Sequence, residues 1–367
     1  MKNKKIFQFE PWFDDEEKKI LVDTIDSGWI QESSLTRKFE KKFSDFTGSK
    51  YAIATTSGTA ALFLALQAYG IGHGDRVIAP DYTAIGTLNA ISLTGAKVDL
   101  VDIKISDANI DPEQIKKVIH SNTKAIVPVH INGRIADMKT INEIANFHNL
   151  HVVEDAAQCL GSKFKGKHLG TFSKIGCFSL ATSKIITTGQ GGMLVTSSKK
   201  LFHKLVELKD QGTTARLKTK SIPDWYPSTG FNFKITDLQA AVGLAQFKKL
   251  SFRINKRKKL HKLYLEYLEN SLKFFHTDMK NGILPWYDDV LADSSRQRNL
   301  IMKFLSENHI YTRKFYRPLH TQPIYRSAKN YKNTAHLSNV GFWLPSSTFL
   351  NDDEISKICK LIKTVLK

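Results

Sequence analysis

Cysteine is scarce in this chain of 367 residues: Cys159, Cys177 and Cys359 are the whole complement, and no CxxC spacing occurs. That excludes a disulfide framework and a cysteine-rich zinc site, and leaves three small core residues as the expectation. No apolar stretch is long enough to cross a bilayer, and Met1-Lys-Asn-Lys-Lys-Ile-Phe lacks the apolar segment of a secretory signal. A cytoplasmic location without a membrane partner is therefore expected. No internal repeat or low-complexity tract appears. Acidic residues are in deficit, with 35 Asp and Glu against 54 Lys and Arg, a formal net charge of +19. Such an excess suits nucleic acid, or a solvated surface that also attracts an anionic small molecule. The densest cluster, Arg253, Lys256, Arg257, Lys258 and Lys259, falls at helical spacing beside Leu260 and Leu263. It reads as the outer face of an amphipathic helix. No aromatic residues interleave with it and no nucleic-acid module is recognisable, so nucleic acid is not an expected partner.

What the chain does contain is an alternation of short apolar runs and amphipathic helices. Strands are expected near 51–54, 76–79, 97–101, 124–129, 151–154, 175–180 and 193–195, with helices at about 112–120 and 137–148. Leu62, Ala65, Leu66 and Tyr69 follow the i, i+3, i+4, i+7 pattern of another helix, ended by Gly70. Alternation of this kind predicts an α/β fold, a mostly parallel sheet covered by helices on both faces. Beyond about residue 250 long basic helices dominate, then Ser294 caps a helix running to Leu305 and a short strand is expected at His309–Thr312. The division expected is a large domain over 1–248 and a smaller α+β domain over 249–367, with the segment 1–13 packing on the latter.

Chemistry concentrates in Asp155, Gln158 and Lys184, the lysine leading into Thr187-Thr-Gly-Gln-Gly-Gly192. Asp155 ends the run His151-Val-Val-Glu-Asp, at the carboxyl end of a buried strand, where open α/β sheets hold ligands. An acid facing a pyridine nitrogen and a lysine that can form a Schiff base are the two groups pyridoxal phosphate requires of a protein. Each alone also fits an ordinary role, the Asp as a cap and the lysine as a solvated side chain. The turn Ser57-Gly58-Thr59 lies between a strand and a helix, where backbone N–H groups and the helix dipole favour a phosphate; a plain helix cap is the alternative. Thr236 and Gln239 have capping-box spacing.

Val153-Glu-Asp-Ala-Ala-Gln158, Gly166-Lys-His-Leu-Gly170, Ile175-Gly-Cys-Phe-Ser179, Lys184, Thr187–Gly192 and Trp225–Gln246 together resemble the DegT/DnrJ/EryC1/StrS sugar-nucleotide aminotransferases, from about Trp12 to the last helix. The resemblance implies an aspartate-aminotransferase-like type I fold with a seven-stranded sheet and pyridoxal phosphate as cofactor, aminated in one half-reaction. It implies Lys184 and Asp155 as catalytic groups, Gln158 near the phenolic oxygen, and Ser57, Gly58, Thr59 and Ser179 at the phosphate. Asn232 would reach the phosphate of a neighbouring subunit in a homodimer. Arg313, Tyr316 and His320 match the family's substrate-facing segment, with Trp29 a further substrate candidate. Ala84 stands where the family usually has a ring-stacking aromatic, which shifts that role to Tyr82, and Gln190 replaces the usual acid of the glycine-rich turn. Related dehydratases carry histidine where this chain has Lys184, so the resemblance implies transamination, from L-glutamate to a nucleotide-linked keto sugar. Gly28-Trp29-Ile30 and Trp225–Gln246 are most similar to GDP-perosamine synthases, which implies amination at C4. A C3 aminotransferase acting on a dTDP-linked 3-keto-6-deoxyhexose is the alternative, and a catalytically silent cofactor-binding regulator is the reading from another class. The stretch from about Phe274 to Asp293 is short against perosamine synthases.

Overall fold

A computed structural model describes residues 4–217 and 225–366. Seven strands form the main sheet: β1 (Tyr51–Thr55), β2 (Arg76–Pro80), β3 (Lys97–Val101), β4 (Thr123–Ile126) and β5 (His151–Asp155), then, after a small hairpin of β6 (Lys163–Phe164) and β7 (Lys167–His168), β8 (Ile175–Ser179) and β9 (Gly192–Thr196). Their spatial order is β1-β9-β8-β5-β4-β2-β3. Only β9 runs against the other strands, being antiparallel to both β1 and β8. The sheet is mostly parallel, as the sequence pattern predicts, and both faces are covered, which is why Ile53, Val77, Val153 and Leu194 are all fully buried.

Helices α1 (Asp15–Asp26) and α2 (Ser34–Thr47) precede the sheet; α3 (Gly58–Ala68), α4 (Ile85–Leu93), α5 (Pro112–Lys116), α6 (Met138–Phe147) and α7 (Lys199–Lys209) connect or follow its strands. α3 is apolar all round and buried from Ala60 to Leu66, the sign of a helix enclosed between a sheet and other helices. α5 stops at Lys116, short of the expected 120, because His120 gives its N–H to the Thr123 hydroxyl and turns the chain into β4. β4 ends at Ile126, short of the expected 129, since Pro128 has no N–H for a ladder.

α8 (Asp237–Lys248), begun by the Thr236–Gln239 capping box, leads to α9 (Leu250–Leu268). The remaining strands, β10 (Lys273–Phe274), β11 (Asp288–Leu291), β12 (Arg313–Lys314) and β13 (Gly341–Leu344), form an antiparallel sheet in the order β10-β11-β13-β12. α9, α10 (Ser295–Glu307) and α12 (Asp352–Leu366) bury Leu260, Ile301 and Ile358 in one core there, while α11 (Lys332–Val340) leads into β13. Ile6 joins that core through a bridge to Ile310, so the N-terminal segment packs beside the second sheet. The strand expected at His309–Thr312 begins four residues later, at Arg313–Lys314, because Ile310 is taken up by Ile6.

The basic cluster on α9 is not a solvated face throughout. Lys259 is exposed, but Arg253 and Arg257 are buried, with relative exposures of 3% and 2%. Both are buried because fixed acceptors surround them: Arg253 donates to the carbonyls of Trp12 and Ile185 and to Gln246, and Arg257 pairs with Asp288 at 2.8 Å. His261 meets the other Asp288 oxygen at 2.7 Å. Burial alone would raise the Asp288 carboxyl, but Arg257 and His261 hold it below its ordinary range. Asp288→Ala should therefore destabilise the protein by about 3–5 kcal/mol in urea unfolding, since it strands a buried guanidinium. With a depressed folded-state pKa, the contribution is present above about pH 4 and is lost as pH falls through the lower folded value.

Candidate active site

Adjacent acids on β5 face opposite ways, as strand geometry requires. Glu154 is fully buried and accepts from Gly170 N–H at 2.9 Å, from Ser173 N–H and from His130, whose Nε2 lies 2.9 Å away. His130 Nδ1 accepts the Ala136 N–H, which leaves Nε2–H to donate. Glu154 thus ties loops to the sheet. Asp155 points the other way. It accepts the Thr87 hydroxyl at 2.7 Å and the Ala157 N–H at 3.0 Å, and burial pushes its carboxyl above the ordinary range in spite of these bonds and of the Lys184 charge.

Lys184 sits in the connection between β8 and β9, and its neighbours on both sides are pinned from the second sheet's part of the chain. The Ser183 carbonyl accepts from Trp286 Nε1 at 2.8 Å and from the Tyr287 hydroxyl at 3.4 Å; the Ile185 carbonyl accepts from Arg253 at 3.0 Å. Lys184 Nζ lies 3.7 Å from the centroid of the Trp286 ring. Burial lowers its pKa from 10.5 to about 7; the Arg313 charge pushes the same way, while Asp155 and Cys159 oppose it. Gln158 is buried and accepts the Asn132 N–H at 2.8 Å through Oε1, which leaves its NH₂ group as the donor.

The turn between β1 and α3 is a close-packed cradle. A Cβ on Gly58 would come within 2.9 Å of Ser179 Cβ, and one on Gly192 within 2.2 Å of the Ser57 carbonyl oxygen. The register makes this necessary, since Gly192 lies opposite both Thr55 and Ser179. Ser57 caps α3 by accepting the Ala60 N–H, Thr59 lies half-buried in its first turn, and the Ser179 oxygen accepts from Ala181 N–H at 3.4 Å. Gln190 acts through its backbone: its carbonyl accepts from Thr188 and from Gln239, while its side chain is exposed, so the turn closes without the family's usual acid.

The remaining sequence candidates are more dispersed. Tyr82 is 1% exposed and packs against Phe315 and Tyr316, with ring centroids 5.8 and 5.7 Å away. Neither contact is stacked, the interplanar angles being 56° and 61°. Arg313 is exposed above Tyr316 and Trp343. His320 gives its Nδ1 side to Asp81 at 2.6 Å and stacks on Tyr331. Trp29 is 66% exposed and lines a surface recess with Ser33 and Asp237. Asn232 is exposed; the next residue's carbonyl accepts from Thr56 N–H at 3.1 Å, so Asn232 lies near the Ser57 turn of its own chain. Thr87, Asn132 and Trp286 escaped the sequence reading, and Arg253 entered it only as part of a basic helix face. Trp286 had the one usable signal, a Pro-Trp-Tyr run outside any periodic element.

A profile of the DegT/DnrJ/EryC1/StrS aminotransferase family matches residues 11–363. The chain belongs to that family. It is 36% identical to the GDP-perosamine synthase of Escherichia coli O157:H7, covering 96% of each chain, and 34% identical to that of Vibrio cholerae, covering 97% of each. The PLP form of a Streptococcus pneumoniae protein assigned as a sugar aminotransferase superposes with a TM-score of 0.90 at 25% identity, over 99% of this chain and 98% of that one. The protein is a PLP-dependent sugar aminotransferase of the DegT family, with the aspartate-aminotransferase-like fold expected. The silent-regulator reading falls away.

The residues present fit pyridoxal phosphate. The buried carboxyl of Asp155 stays above its ordinary range even with the Lys184 charge acting on it, and a protonated ring nitrogen would add the cation that favours its charged form. A recessed lysine is biased toward the neutral, nucleophilic amine, and the Ser57-Gly58-Thr59 turn lies at a helix N-terminus. When bound there, the cofactor supplies an aldehyde for Lys184 and a ring that takes up electrons from the reacting carbon. Asp155, oriented by Thr87 and Ala157, would keep the ring nitrogen protonated, and Gln158 would present its NH₂ to the ring's oxygen substituent. Ser57, Gly58, Thr59 and Ser179 would receive the phosphate. Lys184, once free, would carry the proton between the two carbon centres through Nζ.

Because neutral Lys184 is the reactive form and its pKa is lowered, cofactor uptake by the apoprotein should rise with pH through a midpoint near 7. Stopped-flow absorbance at the coloured adduct measures this. A midpoint near 10.5, the ordinary lysine value, would show that burial does not tune the amine.

Proposed function

We propose that the protein transfers the amino group of L-glutamate to C4 of a GDP-linked 4-keto-6-deoxy sugar, working in the cytoplasm as a homodimer with shared sites. The observation that carries the substrate reading is similarity to GDP-perosamine synthases along almost the entire chain, at 34% and 36% identity. Arg313 supports an anionic substrate: it is exposed above an aromatic pair near Lys184, and no carboxylate within salt-bridge reach neutralises it among the described residues. The positive surface charge favours approach of a pyrophosphate-bearing sugar. Tyr316, half-buried and packed edge to face on the buried Trp343 at 4.8 Å, offers an apolar wall to the hexose. Asn232 supports the dimer, since it is exposed and adjoins the phosphate turn.

The test combines the purified enzyme with glutamate and GDP-4-keto-6-deoxymannose. Expected are 2-oxoglutarate and a GDP-sugar whose NMR spectrum carries nitrogen at C4. Amination of a dTDP-3-keto sugar instead would move the assignment to C3. Lys184→Ala should lower turnover about 100-fold or more.

Subunit sharing is tested by mixing Lys184→Ala and Asn232→Ala chains, Asn232→Ala alone weakening cofactor binding about tenfold. If Asn232 serves the neighbour, mixed dimers regain one intact site. No recovery would place Asn232 in its own chain's site.

A further inference from the structure

Lys184 needs two positions during transamination, one joined to the cofactor and one while its amine is free. The described geometry offers a second position on Trp286. Its ring face lies 3.7 Å from Nζ, in the range where an ammonium is attracted to the negative face of an indole. The ring is held in place from several sides. Trp286 Nε1 donates to the Ser183 carbonyl at 2.8 Å, fixing the ring to the residue before the lysine. Asn132 clasps the next peptide, donating to the Tyr287 carbonyl at 2.8 Å and accepting the Tyr287 N–H at 2.6 Å. Asn132 is in turn anchored by Gln158, and Trp286 stacks on Tyr287 with centroids 3.9 Å apart. Leu160, Ile185 and Leu284 line the same recess together with Gln158 and Ser179, and Lys184 is half-buried in it.

We propose that Trp286 is a positioning residue whose ring face is the resting place of the Lys184 ammonium whenever the lysine is free. This rests on the cofactor chemistry assigned to the site, and it gives a residue of the second part of the chain a specific task in the reaction. The ring keeps the displaced amine within reach and out of the substrate's place, and its attraction partly offsets the burial that favours loss of the proton. The other charged or titratable groups facing Lys184 are Asp155 on β5, Cys159 in the following turn, and Arg313 at the start of β12; the Tyr287 hydroxyl reaches the Ser183 carbonyl beside it.

The test is made on apoprotein, with reductive methylation of Lys184 followed across pH by peptide mass spectrometry. Trp286→Leu keeps an apolar neighbour and removes the ring face. Its labelling midpoint should fall by about one pH unit relative to the unsubstituted protein, and Trp286→Phe should fall between the two. An unchanged or raised midpoint in Trp286→Leu overturns the proposal, as does a Phe variant no different from Leu. In the unsubstituted apoprotein, tryptophan emission should titrate with the same midpoint and lose that titration in Lys184→Met. A titration that persists in Lys184→Met overturns the proposal without reliance on any Trp286 variant. Colour formation with pyridoxal phosphate in the Trp286 variants reports the cofactor reading separately. Failure to colour would count against that reading, whereas an unmoved midpoint with normal colour counts against the resting site alone.

Discussion

Two backbone carbonyls, those of Ser183 and Ile185, govern this active site. Each is held by a donor from beyond residue 249: Trp286 and Tyr287 on one side of Lys184, Arg253 on the other. A lysine in a loop would ordinarily spread over many rotamers and cost about 2 kcal/mol of side-chain entropy to order. Here the backbone around it is already fixed, so only the side chain remains to be placed. The burial of Arg253 follows from the same requirement, because a surface arginine could not reach the Ile185 carbonyl behind the loop. The main sheet supplies Asp155 and the phosphate cradle, while the second part of the chain supplies the clamp, and neither half makes the site alone.

Much of this was legible in the sequence where a local rule and a chemical need coincide. Val152 and Val153 mark a strand buried on both faces, and a strand so buried delivers its last acid to the sheet's carboxyl edge. Gly58 and Gly192 are readable as positions of close approach, and the structure gives the reason, a side chain and a backbone oxygen lying where a Cβ would go. What stayed hidden depends on contacts between distant residues. Periodicity places Arg253 and Arg257 on a basic helix but does not reveal Trp12, Gln246 and Asp288 waiting opposite. The strand expected at 309–312 was displaced by Ile6, a partner about three hundred residues away in the chain, which no local pattern shows.

Departures from the family pattern have local explanations. Gln190 sits in a turn closed by main-chain hydrogen bonds, which leaves its side chain free of structural duty. Ala84 begins α4 with an extended backbone and a small side chain, and the neighbouring Tyr82 is absorbed into the aromatic cluster with Phe315, Tyr316 and Trp343. Aromatic surface near the lysine comes from Trp286, 3.7 Å from its Nζ.

Glu154 and Asp155 are chemically almost the same and adjacent in the chain, yet one is an internal anchor and the other points to the side where a cofactor would be held. Their separation is a matter of parity along β5. If the strand slid by one residue against β4 and β8, the longer acid would enter the ring's place and the shorter one would be asked to hold Gly170, Ser173 and His130. Two loops, the one after β4 and the one between β7 and β8, would lose their tie at the same moment that a bound cofactor would lose its partner. Alignment of the sheet and identity of the cofactor's acid are thus a single choice, and a chain that pairs its strands incorrectly disarms itself.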